Sequence, residues 1–177
     1  MTVEDWAVKI AEAVSPDEAE LAPLWAEAFV KGGKDRQELF AQTNAQAGGF
    51  LPGELMPTLP ILLQALASAA ASLLAILASK KAGTFLEVVK NVLSVGEIFG
   101  KARGWFSSAP ATNTEEPTAS VAISVKLNEV MTKLDIELQP LSLDQAKSDR
   151  LKLIVVCLLL QNPPDAIHFL NKLTEKK

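Results

Sequence analysis

The hydrophobic pattern of the chain centres on one unusually apolar stretch. No charged residue occurs between Glu54 and Lys80, and Ile61 to Ser79 reads as one continuous apolar helix. At 1.5 Å per residue this helix is about 28 Å long, close to the roughly 30 Å hydrocarbon thickness of a bilayer. A helix that is apolar all round forms either a membrane element or the buried centre of a soluble bundle.

Shorter amphipathic helices are predicted on the N-terminal side of this stretch. Thr2 and Asp5 are typical of a cap for a first helix that ends by Ser15, and the run Ser15 to Glu18 is typical of the start of a second. Pro23 is expected to interrupt or restart that second helix, because a proline inside a helix removes a hydrogen bond. Gly32-Gly33 is expected to end the second helix. The predicted inward side chains of these two helices are Val3, Trp6, Ile10, Val14, Leu24, Trp25, Ala28 and Phe29.

A second long helix is predicted to follow the apolar one and to form a hairpin with it. Gly83 separates the two, and Thr84 to about Arg103 has an apolar 3.6-residue period on one side and charges on the other. Those charges exclude a conventional membrane span. Two core helices packed antiparallel are the alternative interpretation of the hairpin.

The chain is predicted to divide into three parts. Residues 1–106 form a helical bundle that contains the apolar hairpin 57–106, residues 107–119 form a flexible linker, and residues 120–177 form a C-terminal helical annex. The annex either completes the main bundle or forms a separate lid.

Two patterns define the expected helices of the annex. Residues 121–127 alternate as a strand would, although the longer period through Leu138 favours a helix. Ser142 to Gln145 resembles a capping box that opens a helix through Leu160. Asn162 to Asp165 is expected to end that helix and to cap the last one.

Composition favours one fold class and excludes several functions. A chain of 177 residues that is 49% hydrophobic, rich in Ala and Leu and free of Tyr is expected to be an all-α bundle of about seven to eight helices with a central apolar helix. The net charge of −4 gives no basic stripe for nucleic acid. Cys157, the single cysteine, excludes an internal disulfide and suits a reducing compartment. The charged first 14 residues do not resemble a signal peptide.

Candidate chemistry is sparse. Cys157 and His168 are the only residues of their kinds, and Cys157 lies in an apolar run where a buried neutral thiol is expected. One cysteine and one histidine do not make a zinc site, and the paired glycines lack the Lys-Ser/Thr ending of a phosphate-binding loop. We therefore expect no enzyme activity, no metal and no cofactor.

The hairpin from Pro57 to Phe106 resembles the apolar elements of HeLo-like membrane-targeting cell-death domains and their bacterial Bell counterparts. The resemblance is architectural and covers about the first 106 residues. The chain departs from the pattern because its most apolar helix lies mid-chain and no amyloid-like motif follows at the C-terminus. The resemblance implies membrane permeabilisation in a regulated defence or cell-death response, with the other helices as an inhibitory or oligomerisation surface.

Two partner classes follow from these patterns. A membrane-acting chain would be cytoplasmic, would join a membrane on activation and would contact lipid through the hairpin. The alternatives are a soluble adaptor that binds another protein through an apolar groove, or a subunit that buries the hairpin in a homo-oligomer. The predicted membrane-interacting residues are Ile61, Leu62, Leu63, Leu66, Leu73, Leu74, Ile76, Leu77, Lys80, Lys81, Phe85, Val89, Phe99, Trp105 and Phe106.

Overall fold

The computed structural model describes residues 1–45, 57–79, 83, 86 and 118–175. Within those ranges it contains helices and no strand, which confirms the predicted all-α class. The seven α-helices are α1 (Val3–Val14), α2 (Ala22–Lys31), α3 (Gly33–Ala45), α4 (Thr58–Leu77), α5 (Thr118–Leu138), α6 (Gln145–Gln161) and α7 (Pro163–Thr174). Single 3-10 turns lie at Pro16–Glu18 and Gln139–Leu141. Of the predicted helix 84–103 only Leu86 is described, and the linker residues 107–117 lie outside the described residues.

The apolar helix α4 lies at the centre of the bundle. It packs most extensively against α5 and also contacts α1, α2 and α7. Its side chains share one hydrophobic core with those of α1, α2, α5, α6 and α7. The C-terminal helices therefore complete the main bundle, which was one of the two arrangements expected for them.

Aromatic packing joins the N-terminal helix to the C-terminal one. Trp6 of α1 is fully buried and stacks on Phe169 of α7, with 5.5 Å between the ring centroids and 22° between the ring planes. The capping box at the start of α1 is present as predicted, because the Thr2 hydroxyl accepts a hydrogen bond from the Asp5 amide and Asp5 accepts one from the Thr2 amide. These bonds lower the pKa of Asp5.

The second helix starts at the predicted restart around Pro23 and not at the run Ser15 to Glu18. Pro16 to Glu18 makes a single 3-10 turn, and α2 begins at Ala22 with Pro23 in its first turn. The carboxylate of Glu18 bonds to the backbone of α4 instead of capping its own helix. The inward stripe of α2 then consists of Ala22, Ala26 and Phe29.

Leu24 also departs from its predicted place. It was expected to face inward, but its side chain is 62% exposed. Trp25 packs against the core while partly buried, and Phe29 is buried as predicted. The helix ends at Gly32, as expected. The φ of Gly32 is 72°, a value that glycine adopts readily and other residues rarely do.

The helix over the alternating segment is confirmed, although its start and the next cap differ from the prediction. α5 begins at Thr118, inside the range predicted as linker. α6 is capped by Asp144, whose Oδ1 accepts a hydrogen bond from the Lys147 amide at 2.9 Å. Ser142 cannot serve as that cap, because it lies in the left-handed region with a φ of 49° at the end of the preceding turn.

Candidate functional site: the central apolar helix

α4 has the length and composition of a membrane span. Its 20 residues contain a window of mean hydropathy 2.0, and 67% of that window is buried inside the protein. Among the described residues no other single helix is long and apolar enough to cross a membrane. α6 and α7 meet the same criteria only when they are taken together, as a pair bent by 116°. Length and apolarity alone do not separate a span from the core helix of a soluble protein.

The structure places the predicted membrane-interacting residues of α4 in the protein core. Leu74 is partly buried, and the other seven are at most 6% exposed. Those seven are Ile61, Leu62, Leu63, Leu66, Leu73, Ile76 and Leu77. The remaining candidates, Lys80, Lys81, Phe85, Val89, Phe99, Trp105 and Phe106, lie outside the described residues. In this conformation the described candidates contact protein, so contact with lipid would require α4 to change its surroundings.

Small side chains form the outer side of α4. Ser68 and Ala71 are exposed, as is Ala78 directly after the helix, and Ala67 and Ala75 are partly buried. Ser72 does not belong to this outer side, because it is only 4% exposed. This outer side runs along the middle of α4. A substitution there can make the helix less apolar without disturbing the core.

Glu18 fixes the start of α4 from a distant part of the chain. Its Oε1 accepts a hydrogen bond from the Thr58 amide and its Oε2 accepts one from the Leu59 amide, both at 2.7 Å. The first amides of a helix have no partner within the helix and carry its partial positive charge. The carboxylate satisfies two of them and attaches α4 to the turn between α1 and α2.

Replacing Glu18 with glutamine is expected to lower the free energy of unfolding by about 1–2 kcal/mol, because a side-chain amide offers one neutral acceptor in place of two charged ones. Urea denaturation at neutral pH measures the change. Glu20→Gln is the matched control, because Glu20 is exposed and has no hydrogen bond or ion pair with the described residues. Equal stabilities of the two variants would contradict a capping role for Glu18.

Arg36 connects α3 to the middle of α4. Its guanidinium donates a hydrogen bond to Gln64 Oε1 and lies 3.9 Å from the centroid of the Phe29 ring. Partial burial lowers the pKa of Arg36, but a guanidinium stays charged at any physiological pH. Gln64 is a polar residue within the apolar helix, and its Oε1 therefore has a hydrogen-bond partner inside the bundle.

Glu129 connects α5 to α4 at Ser72. Lys133 donates a hydrogen bond to Glu129 Oε1 at 2.7 Å, and the Ser72 hydroxyl lies near the same carboxylate. Both groups favour the ionised form and lower the pKa of Glu129, with Lys133 contributing most. The buried hydroxyl of α4 thus lies beside a carboxylate of the neighbouring helix.

A buried lysine connects α5 to α6. Lys152 is 2% exposed, and its ammonium bonds to Asp135 of α5 and to Asp149 of its own helix, the latter at 2.7 Å. This cluster could not be predicted from the sequence, because Asp135 and Lys152 are 17 residues apart and no local period relates them. The single available signal was the position of Lys152 between Leu151 and Leu153 in an apolar run.

The two residues with nucleophilic or basic chemistry lie in ordinary structural positions. Cys157 is buried, and its Sγ accepts a hydrogen bond from Gln161 Nε2 at 3.8 Å. His168 is exposed on α7. Within the part of the chain that the structure describes, no group of three or more His, Cys, Asp or Glu side chains is arranged to hold a metal ion.

Comparison with protein-family models, with curated proteins and with solved structures finds no match for this chain. Its functional interpretation therefore rests on the residues described above. The site that they define is a buried, span-length helix whose first amides are bonded to Glu18, whose Gln64 is bonded to Arg36, and whose Ser72 lies near Glu129.

Proposed function

We propose that this chain is a non-enzymatic, membrane-acting protein that holds α4 in its core and releases it into a bilayer, which permeabilises the membrane. One observation carries the proposal: α4 has the length and hydropathy of a span, yet 67% of its apolar window is buried in the bundle. A conformational change of this kind needs two packings of similar free energy.

The distribution of polar contacts on α4 supports two such packings. Lipid tails are about as apolar as leucine side chains. The free energy of the α4 leucines therefore changes little when they move from the protein core to a bilayer. What differs is the small set of polar contacts made through Thr58, Gln64 and Ser72, which exist only in the bundle. These contacts favour the closed bundle, and anything that breaks them favours release.

The proposed setting is a regulated cell-death or defence response, as the resemblance of the hairpin to HeLo-like and Bell-type domains implies. The chain would wait in the cytoplasm with α4 buried and would join a membrane after activation by a partner protein or by assembly with further copies. Lipid is the proposed final partner of α4, and nucleic acid has no place in the mechanism because the chain is acidic.

A covalent clamp between α4 and α5 tests the proposal. Ser72→Cys and Glu129→Cys, in a Cys157→Ala background, replace two side chains that contact each other, and a short bis-maleimide can join them. We expect the clamped protein to release no dye from loaded vesicles, while the same variant before cross-linking permeabilises them.

The matched control uses the same cysteine at position 129 joined to Lys133→Cys, one turn along α5. Glu129 and Lys133 already form an ion pair of 2.7 Å, so this staple rigidifies α5 without attaching it to α4. It should leave dye release unchanged. Equal release by the α4–α5 clamp and by the stapled control would overturn the proposal.

Exposed leucines favour a second candidate, a soluble adaptor. Leu21 and Leu24 are 46% and 62% exposed and lie three residues apart at the start of α2, on one side of the bundle. An adaptor would form a stable complex in lysate without detergent, and Leu24→Ser would weaken that complex. Vesicle permeabilisation that persists in Leu24→Ser would favour the membrane function instead.

A further inference from the structure

A small cavity lies where α1, α4 and α6 meet, away from the outer side of α4. Its volume is about 300 Å³. Apolar side chains from α1, from α6 and from the segment before α6 form most of its wall, and two cations line it as well. The apolar side chains are Val14, Leu143, Leu151 and Ile154, and the cations are Lys147 and Arg150.

The two cations differ in whether they form an ion pair within the protein. Lys147 pairs with Asp144 at 3.1 Å. Arg150 has no ion pair and no hydrogen bond to any side chain among the described residues. The cavity therefore combines apolar walls with one uncompensated positive charge, a pairing that favours a ligand with an apolar body and an anionic head.

We infer that this cavity binds an anionic amphiphile with a single short acyl chain, such as a medium-chain fatty acid. The acyl chain would pack against Val14, Leu151 and Ile154, and the carboxylate would pair with Arg150. The volume lies at the lower end of the roughly 300–1,000 Å³ seen for ligand pockets, so the two long chains of a phospholipid do not fit. This inference does not depend on the proposed membrane activity.

Binding at this position would stabilise the closed bundle. Thr58, the first residue of α4, also lines the cavity, so a bound acyl chain would contact α1, α4 and α6 at once. A ligand that binds the native state and not the unfolded chain stabilises the native state by RT ln(1 + L/Kd), where L is the free ligand concentration. Decanoate should therefore raise the thermal midpoint of the full chain, and the rise should grow with the logarithm of the decanoate concentration above Kd.

The experiment titrates the full chain with decanoate, below the concentration at which it forms micelles, by calorimetry and by thermal unfolding. We expect one saturable site, and we expect Arg150→Gln to raise its Kd about tenfold, because the bound carboxylate loses its charged hydrogen-bond partner. Lys31→Gln, which removes an exposed cation on α2, is the matched control and should bind as wild type does. Decanol, which has the chain without the charge, should bind more weakly and should not respond to Arg150→Gln.

A second variant tests the cavity itself. Ala13 lines the cavity and is exposed, so Ala13→Phe fills part of the space without entering the core. It should abolish decanoate binding while the protein keeps its helical spectrum. The inference is overturned if decanoate does not saturate, if it lowers the thermal midpoint, if Arg150→Gln and Lys31→Gln bind equally well, or if Ala13→Phe binds as wild type does.

Discussion

Replacing Ser68 with lysine is expected to abolish vesicle permeabilisation while leaving the stability of the bundle unchanged. Ser68 is exposed and lies at the middle of α4, so in the closed state the new ammonium stays in water, where a surface substitution changes stability by about 0.5 kcal/mol or less. In an inserted α4 the same residue would lie near the bilayer midplane. A lysine there costs about 2.5–3.5 kcal/mol, which reduces the inserted population about 100-fold.

The control for Ser68→Lys is Asn128→Lys on α5, where an exposed position again receives one positive charge. Dye release by Asn128→Lys should match wild type, and the urea midpoints of both variants should match it as well. Ala71→Lys, one turn beyond Ser68 and also exposed, gives an independent repeat. Normal release by a fully folded Ser68→Lys protein would show that α4 does not cross the hydrocarbon region.

The second large effect is a loss of stability, and it is expected when the buried Lys152 loses its two carboxylate partners. Asp135→Asn combined with Asp149→Asn leaves the ammonium of Lys152, which is 2% exposed, without a counter-ion. Removing the partners of a buried charge typically costs about 3–5 kcal/mol, a large share of the roughly 5–15 kcal/mol that stabilises an ordinary domain. The double variant should therefore be severely destabilised in urea denaturation.

Lys152→Met distinguishes two contributions to the free energy of unfolding, the destabilisation by a lone buried charge and the stabilisation by the ion pair. Methionine keeps the length and apolar stem of lysine, and the two aspartates can turn to water because they are 44% and 26% exposed. Replacing a buried ion pair with apolar side chains is often neutral or stabilising, so Lys152→Met should unfold near the wild-type midpoint. A loss as large as that of the double variant would contradict this explanation.

Local spacing was sufficient to predict most of the helices. The apolar period predicted Trp6 and Ile10 on the buried face of α1, and the glycine pair predicted the end of α2. The continuous apolar run predicted a central helix, although α4 begins at Thr58, three residues before the predicted start. These features depend on neighbours within one or two helical turns, which a single sequence displays directly.

Contacts between distant segments could not be predicted in the same way. Glu18 has the spacing of a capping residue for its own helix, but it bonds to Thr58 and Leu59, about 40 residues further along. Which side of α2 faces inward depends on where Pro23 restarts the helix, so Leu24 was misplaced. The pairing of Asp135 with Lys152 arises only when α5 and α6 pack side by side.

The choice between core and membrane for α4 is not encoded in its apolarity. Leu62, Leu66 and Leu73 suit both environments, since a protein core and a bilayer are both free of water. The structure describes the core arrangement, with all three side chains at most 2% exposed. The arrangement with α4 in a bilayer is a proposal, and a measurement made in the presence of lipid tests it.

Transfer of α4 from protein to lipid is tested most directly by an environment-sensitive fluorophore attached to Ser68→Cys in a Cys157→Ala background. Before vesicles are added the label should be in water, because position 68 is exposed in the bundle. During permeabilisation its emission should shift to the blue and should be quenched by lipids that carry a quencher near the bilayer midplane, while the same label at Asn128→Cys stays in water. Permeabilisation with the label at position 68 still in water would contradict the release of α4.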